Sequence, residues 1–138
     1  MKEKRVFKDV PPSSPVKINP SLKADLEKYL HYHIIVEGKK DISSLKALGF
    51  TNLHAIHETG TPIRIRIEQI AQHLEKRDKV CILTDFDKKG KQLYHLIKSL
   101  CQEQGIRLDS SLRGILLKAR VSHIEGLHKF FKKVEEIN

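Results

Sequence analysis

Apolar residues along this chain alternate between short continuous runs and runs with helical spacing. The continuous runs predict three buried strands, HIIV (33–36), NLHAI (52–56) and KVCILT (79–84), because a strand covered on both faces has few polar positions. A further apolar run, RGILLK (113–118), predicts a fourth, shorter strand. The pattern therefore predicts a sheet that is buried on both faces.

Between these runs, apolar residues recur every three or four positions, as on one face of an amphipathic helix. This spacing predicts a short helix after Pro20, a helix that Asp41 caps and Gly49 ends, and three more from near Pro62, around 93–101 and over 124–134. Asp is a common N-cap, and a glycine often takes the left-handed position after a helix. The chain therefore alternates between strands and helices.

This alternation predicts right-handed crossovers and an α/β fold, with a mainly parallel four-stranded sheet in a three-layer α/β/α arrangement. Residues 1–20 hold four of the five prolines and many charges, which is typical of an extended or flexible arm. We expect residues 21–138 to form one domain with a leading helix.

Acidic residues follow two of the predicted strands. Ligands of such sheets bind beyond the carboxyl ends of the strands where the strand order reverses, which for a flavodoxin-like order is between the first and third strands. Glu37 follows the first strand, and Asp85 and Asp87 follow the third. In extended backbone these two aspartates point to the same side. Three carboxylates at one edge repel each other unless a cation separates them, so we predict a Mg²⁺ site, with Mn²⁺ a possible substitute.

Glycines and lysines surround these carboxylates in the sequence. Turns at the glycines would let a phosphate approach backbone N–H groups, and the lysines would attract it. The predicted substrate-binding residues here are Gly38, Lys39, Lys40, Lys88, Lys89 and Gly90. Glu37 is a predicted metal ligand or general acid/base. The alternative is that aspartates after strands cap the next helix or shape a turn, and Asp41 is read as a cap and not as a ligand.

Charge favours a polyanionic partner. Lys and Arg number 26 against 17 Asp and Glu, for a net charge of +9. We expect nucleic acid, RNA or DNA, as the partner, with a merely solvated basic surface as the alternative. Aromatic residues are few and Trp is absent, which argues against a broad base-stacking platform. The two cysteines, the lack of a visible signal peptide and the lack of a long apolar stretch predict a cytoplasmic protein outside the membrane.

Taken together, the segments VEGKKD and LTDFDKKG resemble the signature of the Toprim domain family, a glutamate after the first strand and an Asp-x-Asp after the third. The chain is similar to the small stand-alone Toprim proteins of prokaryotes and to the bacterial endonuclease that matures 5S ribosomal RNA. The resemblance spans roughly residues 32–134. It implies a Rossmann-like Toprim fold and a catalytic, metal-binding set of Glu37, Asp85 and Asp87. Gly60 matches a family glycine and is a further predicted substrate-binding residue. Glu125 is a weaker site candidate or a first-turn glutamate of the last helix.

Three functions are open at this point. The leading hypothesis is a Mg²⁺-dependent nuclease acting on RNA or DNA, because the nucleophilic tyrosine domain of topoisomerases and the further domains of primases have no counterpart here. The second is a metal-assisted nucleic-acid-binding accessory without turnover of its own. The third is a phosphatase or receiver-like domain, in which the key aspartate would stand where Glu37 does. His123 either contacts phosphate or begins a helix. A protein partner is possible, and the oligomeric state stays open.

Overall fold

A computed structural model describes residues 21–57, 60–129, 131 and 132. The helices are α1 (Leu22–Glu27), α2 (Lys39–Ala47), α3 (Ile63–Gln72), α4 (Lys88–Glu103) and α5 (Ser111–Lys118), and the strands are β1 (His33–Val36), β2 (Asn52–Ala55) and β3 (Val80–Ile82). A 3₁₀ turn at Ile124–Gly126 follows α5. The predicted arm over residues 1–20 and the end of the predicted closing helix lie outside the described residues.

The strands form a parallel sheet in the order β2-β1-β3. Ile34, in the middle of β1, lies opposite Leu53 on one side and Cys81 on the other. The chain therefore passes from β1 to β2 on one side and returns to β3 on the other. The strand order reverses between β1 and β3, as the sequence predicts.

Helices cover both faces of this sheet, which confirms the three-layer arrangement. Ile34 and Val36 pack in one apolar cluster with residues of α1, α2 and α5. Ile35, which points to the opposite face, packs in a second cluster with residues of α3 and α4. Each cluster contains one free cysteine, Cys81 or Cys101, and burial raises the pKa of each thiol to about 12. Both cysteines therefore act as core residues.

The prediction of a fourth strand over residues 113–118 is wrong, because this segment forms most of α5. Leu112 and Leu116 are both buried and stand one helical turn apart, so the segment buries positions with helical spacing. An apolar run of four residues cannot separate a strand from a buried helix by its pattern alone. As a consequence, β3 is an edge strand of the sheet that the described residues form.

Asp41 begins α2 differently from the prediction. Gly38 is the N-cap and Asp41 lies in the first turn, where its carboxylate accepts a hydrogen bond from the Gly38 N–H at 3.0 Å. The predicted end of this helix is confirmed, because Gly49 adopts a φ of +104°. In the described part of the chain, no helix combines the length and the hydropathy that crossing a bilayer requires.

Candidate metal and nucleic-acid site

The carboxyl ends of β1 and β3 bring the two acidic motifs into direct contact. Glu37 follows β1, and its Oε2 accepts a hydrogen bond from the Asp85 backbone N–H at 3.2 Å. Asp85 and Asp87 lie between β3 and α4. Residues that are 48 positions apart in sequence therefore meet at the point where the strand order reverses, as expected for a ligand site in an open α/β sheet.

Backbone N–H groups hold one oxygen of each aspartate. Asp85 Oδ1 accepts from the Ile124 N–H at 2.9 Å. Asp87 is the N-cap of α4, and its Oδ1 accepts from the Gly90 N–H at 2.8 Å. These bonds orient the two carboxylates and leave Oδ2 of each to a further ligand. Asp87 Oδ2 lies 3.6 Å from His123 Nε2.

Asp85, Asp87 and His123 form the acidic and imidazole group that can hold a cation. One ligand atom of each lies within 4.8 Å of the other two. Asp85 is half-buried, and the other two side chains are exposed. Two carboxylates with open coordination positions are a donor set that fits Mg²⁺ or Mn²⁺, which keep several waters. Glu37 lies outside this group and contacts it through the Asp85 N–H.

Asp41 adds a buried negative charge to this region, which the sequence reading missed. Its side chain is 8% exposed. Burial raises the pKa of Asp41, the hydrogen bond from Gly38 opposes that change, and the charges of Asp85, Glu37 and Glu125 raise the pKa further. Glu125 itself is exposed in the 3₁₀ turn. A cation near these carboxylates would relieve their mutual repulsion.

Arg113 fixes the backbone that carries Asp85, and it was also missed. Its Nη1 donates to the Thr84 carbonyl at 2.7 Å and its Nη2 to the Asp85 carbonyl at 3.3 Å. The guanidinium carbon lies 4.3 Å from the ring centroid of Phe86 and 4.4 Å from that of Tyr94. Burial lowers the pKa of Arg113. Since the prediction placed this residue in a strand, nothing in the sequence pattern indicated the contact.

Gly90 lies in the first turn of α4, packed against the Asp85 backbone. A Cβ at this position would come within 2.2 Å of the Asp85 carbonyl oxygen. The Gly90 carbonyl accepts a hydrogen bond from Thr84 Oγ1 at 2.7 Å. The N–H groups of Gly38 and Gly90 donate to the side chains of Asp41 and Asp87. Both glycines therefore stabilise the starts of α2 and α4. Their contact with a substrate phosphate stays a prediction.

The predicted lysines stand at the helix ends that adjoin the site. Lys39 and Lys40 begin α2, Lys88 and Lys89 begin α4, and all four are exposed. A positive side chain in the first turn destabilises a helix by about 0.3–1 kcal/mol, because it lies at the positive end of the macrodipole. Gly60 is exposed in the loop after β2 with a φ of +78°, a conformation that favours glycine.

The Toprim domain model matches residues 33–113, a segment that contains the whole sheet and the Glu37, Asp85 and Asp87 positions. The chain belongs to the Toprim domain family. A UPF0292 protein of Methanocaldococcus jannaschii is 32% identical over 103 residues, which are 72% of this chain and 78% of that protein. A UPF0292 protein of Thermoplasma volcanium is 33% identical over 104 residues, 75% of this chain and 85% of the relative.

A solved structure of a protein from Aquifex aeolicus superposes with a TM-score of 0.63 at 28% identity, covering 79% of this chain and 98% of the other. These matches confirm the resemblance to small stand-alone Toprim proteins. Toprim membership and the Asp85, Asp87 and His123 group indicate a metal-dependent function related to nucleic acid. The names of these relatives state no specific activity.

Proposed function

We propose that this Toprim protein is a Mg²⁺-dependent nuclease that hydrolyses phosphodiester bonds of RNA or DNA and also accepts Mn²⁺. The observation that carries the proposal is the bond between Glu37 and the Asp85 N–H, 3.2 Å long, beside the Asp85, Asp87 and His123 group. It supports a general acid/base directly next to a cation site. A bound cation supplies charge neutralisation at the phosphate and orientation of its oxygens.

In this proposal Asp85 and Asp87 hold the cation through their Oδ2 atoms, since backbone N–H groups occupy their Oδ1 atoms. His123 lies within reach of Asp87 and either joins the ligands or contacts a phosphate oxygen. Arg113 acts on the metal site as a positioning residue, because it holds the Thr84 and Asp85 carbonyls.

Glu37 is the proposed general acid/base. Its Oε2 is engaged by the Asp85 N–H, so the side chain is held in one orientation and Oε1 can exchange a proton with a reacting oxygen. Glu37 is half-buried, which keeps it reachable from the site. A fixed base within hydrogen-bond reach of the reacting group typically accelerates a reaction about 10²–10⁴-fold.

The lysines at the starts of α2 and α4 are the proposed contacts to the nucleic-acid backbone. Their positions oppose the helix macrodipole, and binding of a phosphate there would remove that unfavourable interaction. The net charge of +9 supports attraction of a polyanion over a longer range. The two buried free thiols suit the reducing cytoplasm, where we expect the protein to act.

A cleavage screen tests the proposal. Labelled structured RNA, single-stranded DNA and duplex DNA are each incubated with Mg²⁺, with Mn²⁺ or with EDTA. We expect cleavage of at least one substrate with metal, none with EDTA, and none by the Asp85→Asn, Asp87→Asn double variant. The matched control is the Glu27→Gln, Glu75→Gln double variant, which changes the net charge equally at two exposed positions and should cleave like the wild type.

Thermal melting with Mn²⁺ separates this proposal from its alternative. Metal that binds the folded state raises its stability, and we expect this shift in the wild type and not in the double aspartate variant. If the shift is present but no substrate is cleaved, the protein is a metal-assisted binding accessory and not a nuclease. An equal shift in the double variant would place the metal elsewhere.

A further inference from the structure

A groove runs between α4 and α5 along the open edge of β3, and we call it the edge groove. Its near part, beside the metal site, has a volume of ≈ 350 Å³ and is lined mainly by Phe86, Lys91, Tyr94, His95, Arg113 and Leu117. Its far part has a volume of ≈ 240 Å³, shares Tyr94 and Ser110 with the near part, and reaches Lys98 and Gln102.

The edge groove exists because residues 111–118 form a helix and not a fourth strand. α4 packs on one face of the sheet and α5 on the other, so no further strand covers the edge of β3 beyond the single bridge from Val80 to Leu108, and Ile82 of β3 lines the far part. Arg113, which lines the near part together with Phe86, donates to the Asp85 carbonyl at 3.3 Å. The near part therefore adjoins the loop that carries Asp85 and Asp87.

Flat side chains, on which nucleobases commonly stack in proteins, line the near part. The Arg113 guanidinium lies against the rings of Phe86 and Tyr94 at 4.3 and 4.4 Å, and Leu117 is 56% exposed beside them. A base that stacks on an aromatic ring or on an arginine plane gains about 1–3 kcal/mol, whatever its identity. The low aromatic content that argues against a broad platform still permits one stacking position.

Basic side chains line the same groove at helical spacing. Lys91, His95 and Lys98 are at positions i, i+4 and i+7 of α4, all are exposed, and all line the groove. This row suits successive phosphates of one strand. Asp109 lies in the far part, and hydrogen bonds from Ser111 lower the pKa of its carboxyl group, so it remains negative. Asp109 therefore repels phosphates from the far part, and a polyanion binds more favourably in the near part.

We propose that the edge groove binds a single-stranded segment of nucleic acid and guides the adjoining phosphodiester to Asp85 and Asp87. One unpaired base stacks on Tyr94 and its neighbours, and the phosphates lie along Lys91 and Lys98. This inference rests on the proposed function and specifies its substrate. A continuous duplex has no unpaired base to insert, so the groove selects single strands, loops or frayed ends.

Binding in EDTA tests the groove without the metal site. Short oligonucleotides of one sequence, as single-stranded DNA, as single-stranded RNA and as a blunt duplex, carry a terminal fluorophore for anisotropy. We expect single strands to bind about tenfold or more tightly than the duplex, since stacking is worth about 1–3 kcal/mol. The DNA and RNA arms show which single strand is preferred.

Leu117→Glu is the decisive variant, because it places a negative charge in the groove at an exposed position. It should weaken single-strand binding about tenfold or more. Leu96→Glu is the matched control on α4, since Leu96 is 47% exposed and lies outside the groove. It should keep the affinity within about threefold, because exposed charges at a distance are screened. Both variants should keep the wild-type Mn²⁺ melting shift.

A second variant tests how many phosphates the groove contacts. Lys91→Ala with Lys98→Ala should lower the slope of log affinity against log salt by about 1.4, as expected for two contacts to a single strand. Equal losses in the two glutamate variants, or a duplex bound as tightly as the single strands, would overturn the groove proposal. A wild type without the Mn²⁺ shift would instead overturn the proposed metal site, whatever the oligonucleotides do.

Discussion

The Asp85 backbone N–H donates a hydrogen bond to Glu37 Oε2 at 3.2 Å. This bond joins the residue after β1 to the residue after β3, so the Glu37 side chain and the loop that carries the aspartates form one unit. A displacement of either one moves the other. The bond also has a practical value for mutagenesis, because a glutamine at position 37 still offers an amide oxygen to the same N–H.

Glu37→Gln should keep the fold and remove catalysis. The amide oxygen can accept from Asp85, whereas the ionisable group is lost. If the protein is a nuclease, the turnover rate at saturating metal should fall about 10²–10⁴-fold, while binding of the nucleic acid changes little or tightens. Single-turnover cleavage and anisotropy measure the two effects. Equal cleavage by both forms would make Glu37 a structural residue.

Gly90→Ala should destabilise the protein through a backbone clash. The added Cβ would come within 2.2 Å of the Asp85 carbonyl oxygen, so α4 or the aspartate loop must shift. We expect the free energy of unfolding to fall by about 1–3 kcal/mol, with a smaller Mn²⁺ melting shift.

Gly114→Ala is the control for this change. Gly114 lies within α5 and has no neighbouring atom within 4 Å of its added Cβ, so the substitution should stabilise the protein by about 0.5–1 kcal/mol. Urea titrations of both variants give the comparison. A Gly90→Ala protein as stable as the wild type would show that the loop accommodates the methyl group.

Asp41→Asn should raise the melting temperature without metal and reduce the gain from Mn²⁺. Burial and the neighbouring Asp85 and Glu37 charges raise the pKa of Asp41, so its ionised form disfavours the folded state at neutral pH. Asparagine removes that charge and can still accept from the Gly38 N–H. Asp25→Asn on α1 is the control and should leave the Mn²⁺ shift unchanged. A lower metal-free melting temperature would mean that the charged cap stabilises α2 more than the repulsion costs.

Acid should weaken the fold through His54 of β2. His33 Nδ1 lies 3.0 Å from His54 Nε2. Burial lowers the pKa of His54 to about 4, with His33, Arg66 and His73 lowering it further. Because the unfolded histidine has a pKa near 6.5, the unfolded state binds a proton before the folded state does. Stability is therefore lost as pH falls from about 6.5 to 4.

Urea titrations at several pH values measure this effect in His54→Gln and the wild type. The wild type should lose more unfolding free energy than the variant over that window, and the two should have parallel profiles above pH 7. His31→Gln, at an exposed position, should follow the wild type. Parallel profiles of His54→Gln and the wild type throughout would show that His54 gains its proton in both states together.

The sheet and the acidic site were predictable because their signals are local. Residues 33–36 and 79–84 are continuous apolar runs, as burial on both faces demands, and parallel strands place their following residues at one edge. Glu37, Asp85 and Asp87 therefore had to lie near each other once the strand order was assumed. The hydrogen bond between Glu37 and the Asp85 N–H shows that the two motifs are in contact.

The sequence pattern did not predict the contacts that Arg113, Asp41 and His123 make at the site, because these contacts depend on the tertiary structure. Arg113 reaches the site only because its segment is a helix, and a short apolar run does not distinguish helix from strand. Asp41 was predicted as the N-cap of α2 but lies in its first turn and accepts from the Gly38 N–H, and its effect on the site follows from the charges packed around it. His123, which the sequence offered as a phosphate contact or a helix start, is the N-cap of the 3₁₀ turn and lies 3.6 Å from Asp87 Oδ2, a contact that periodicity does not indicate.

The open edge of β3 has a consequence for self-association. An exposed edge strand is a template on which another chain can add a strand. Here the Val80 N–H and carbonyl pair with Arg107 and Asp109, and the Arg113 guanidinium takes the carbonyls of Thr84 and Asp85. Partners within the chain therefore occupy the backbone groups of Val80, at the start of β3, and the carbonyls of Thr84 and Asp85, just beyond its end. We expect these contacts to make the edge a poorer template for a foreign strand, while side-chain space beside the strand stays accessible.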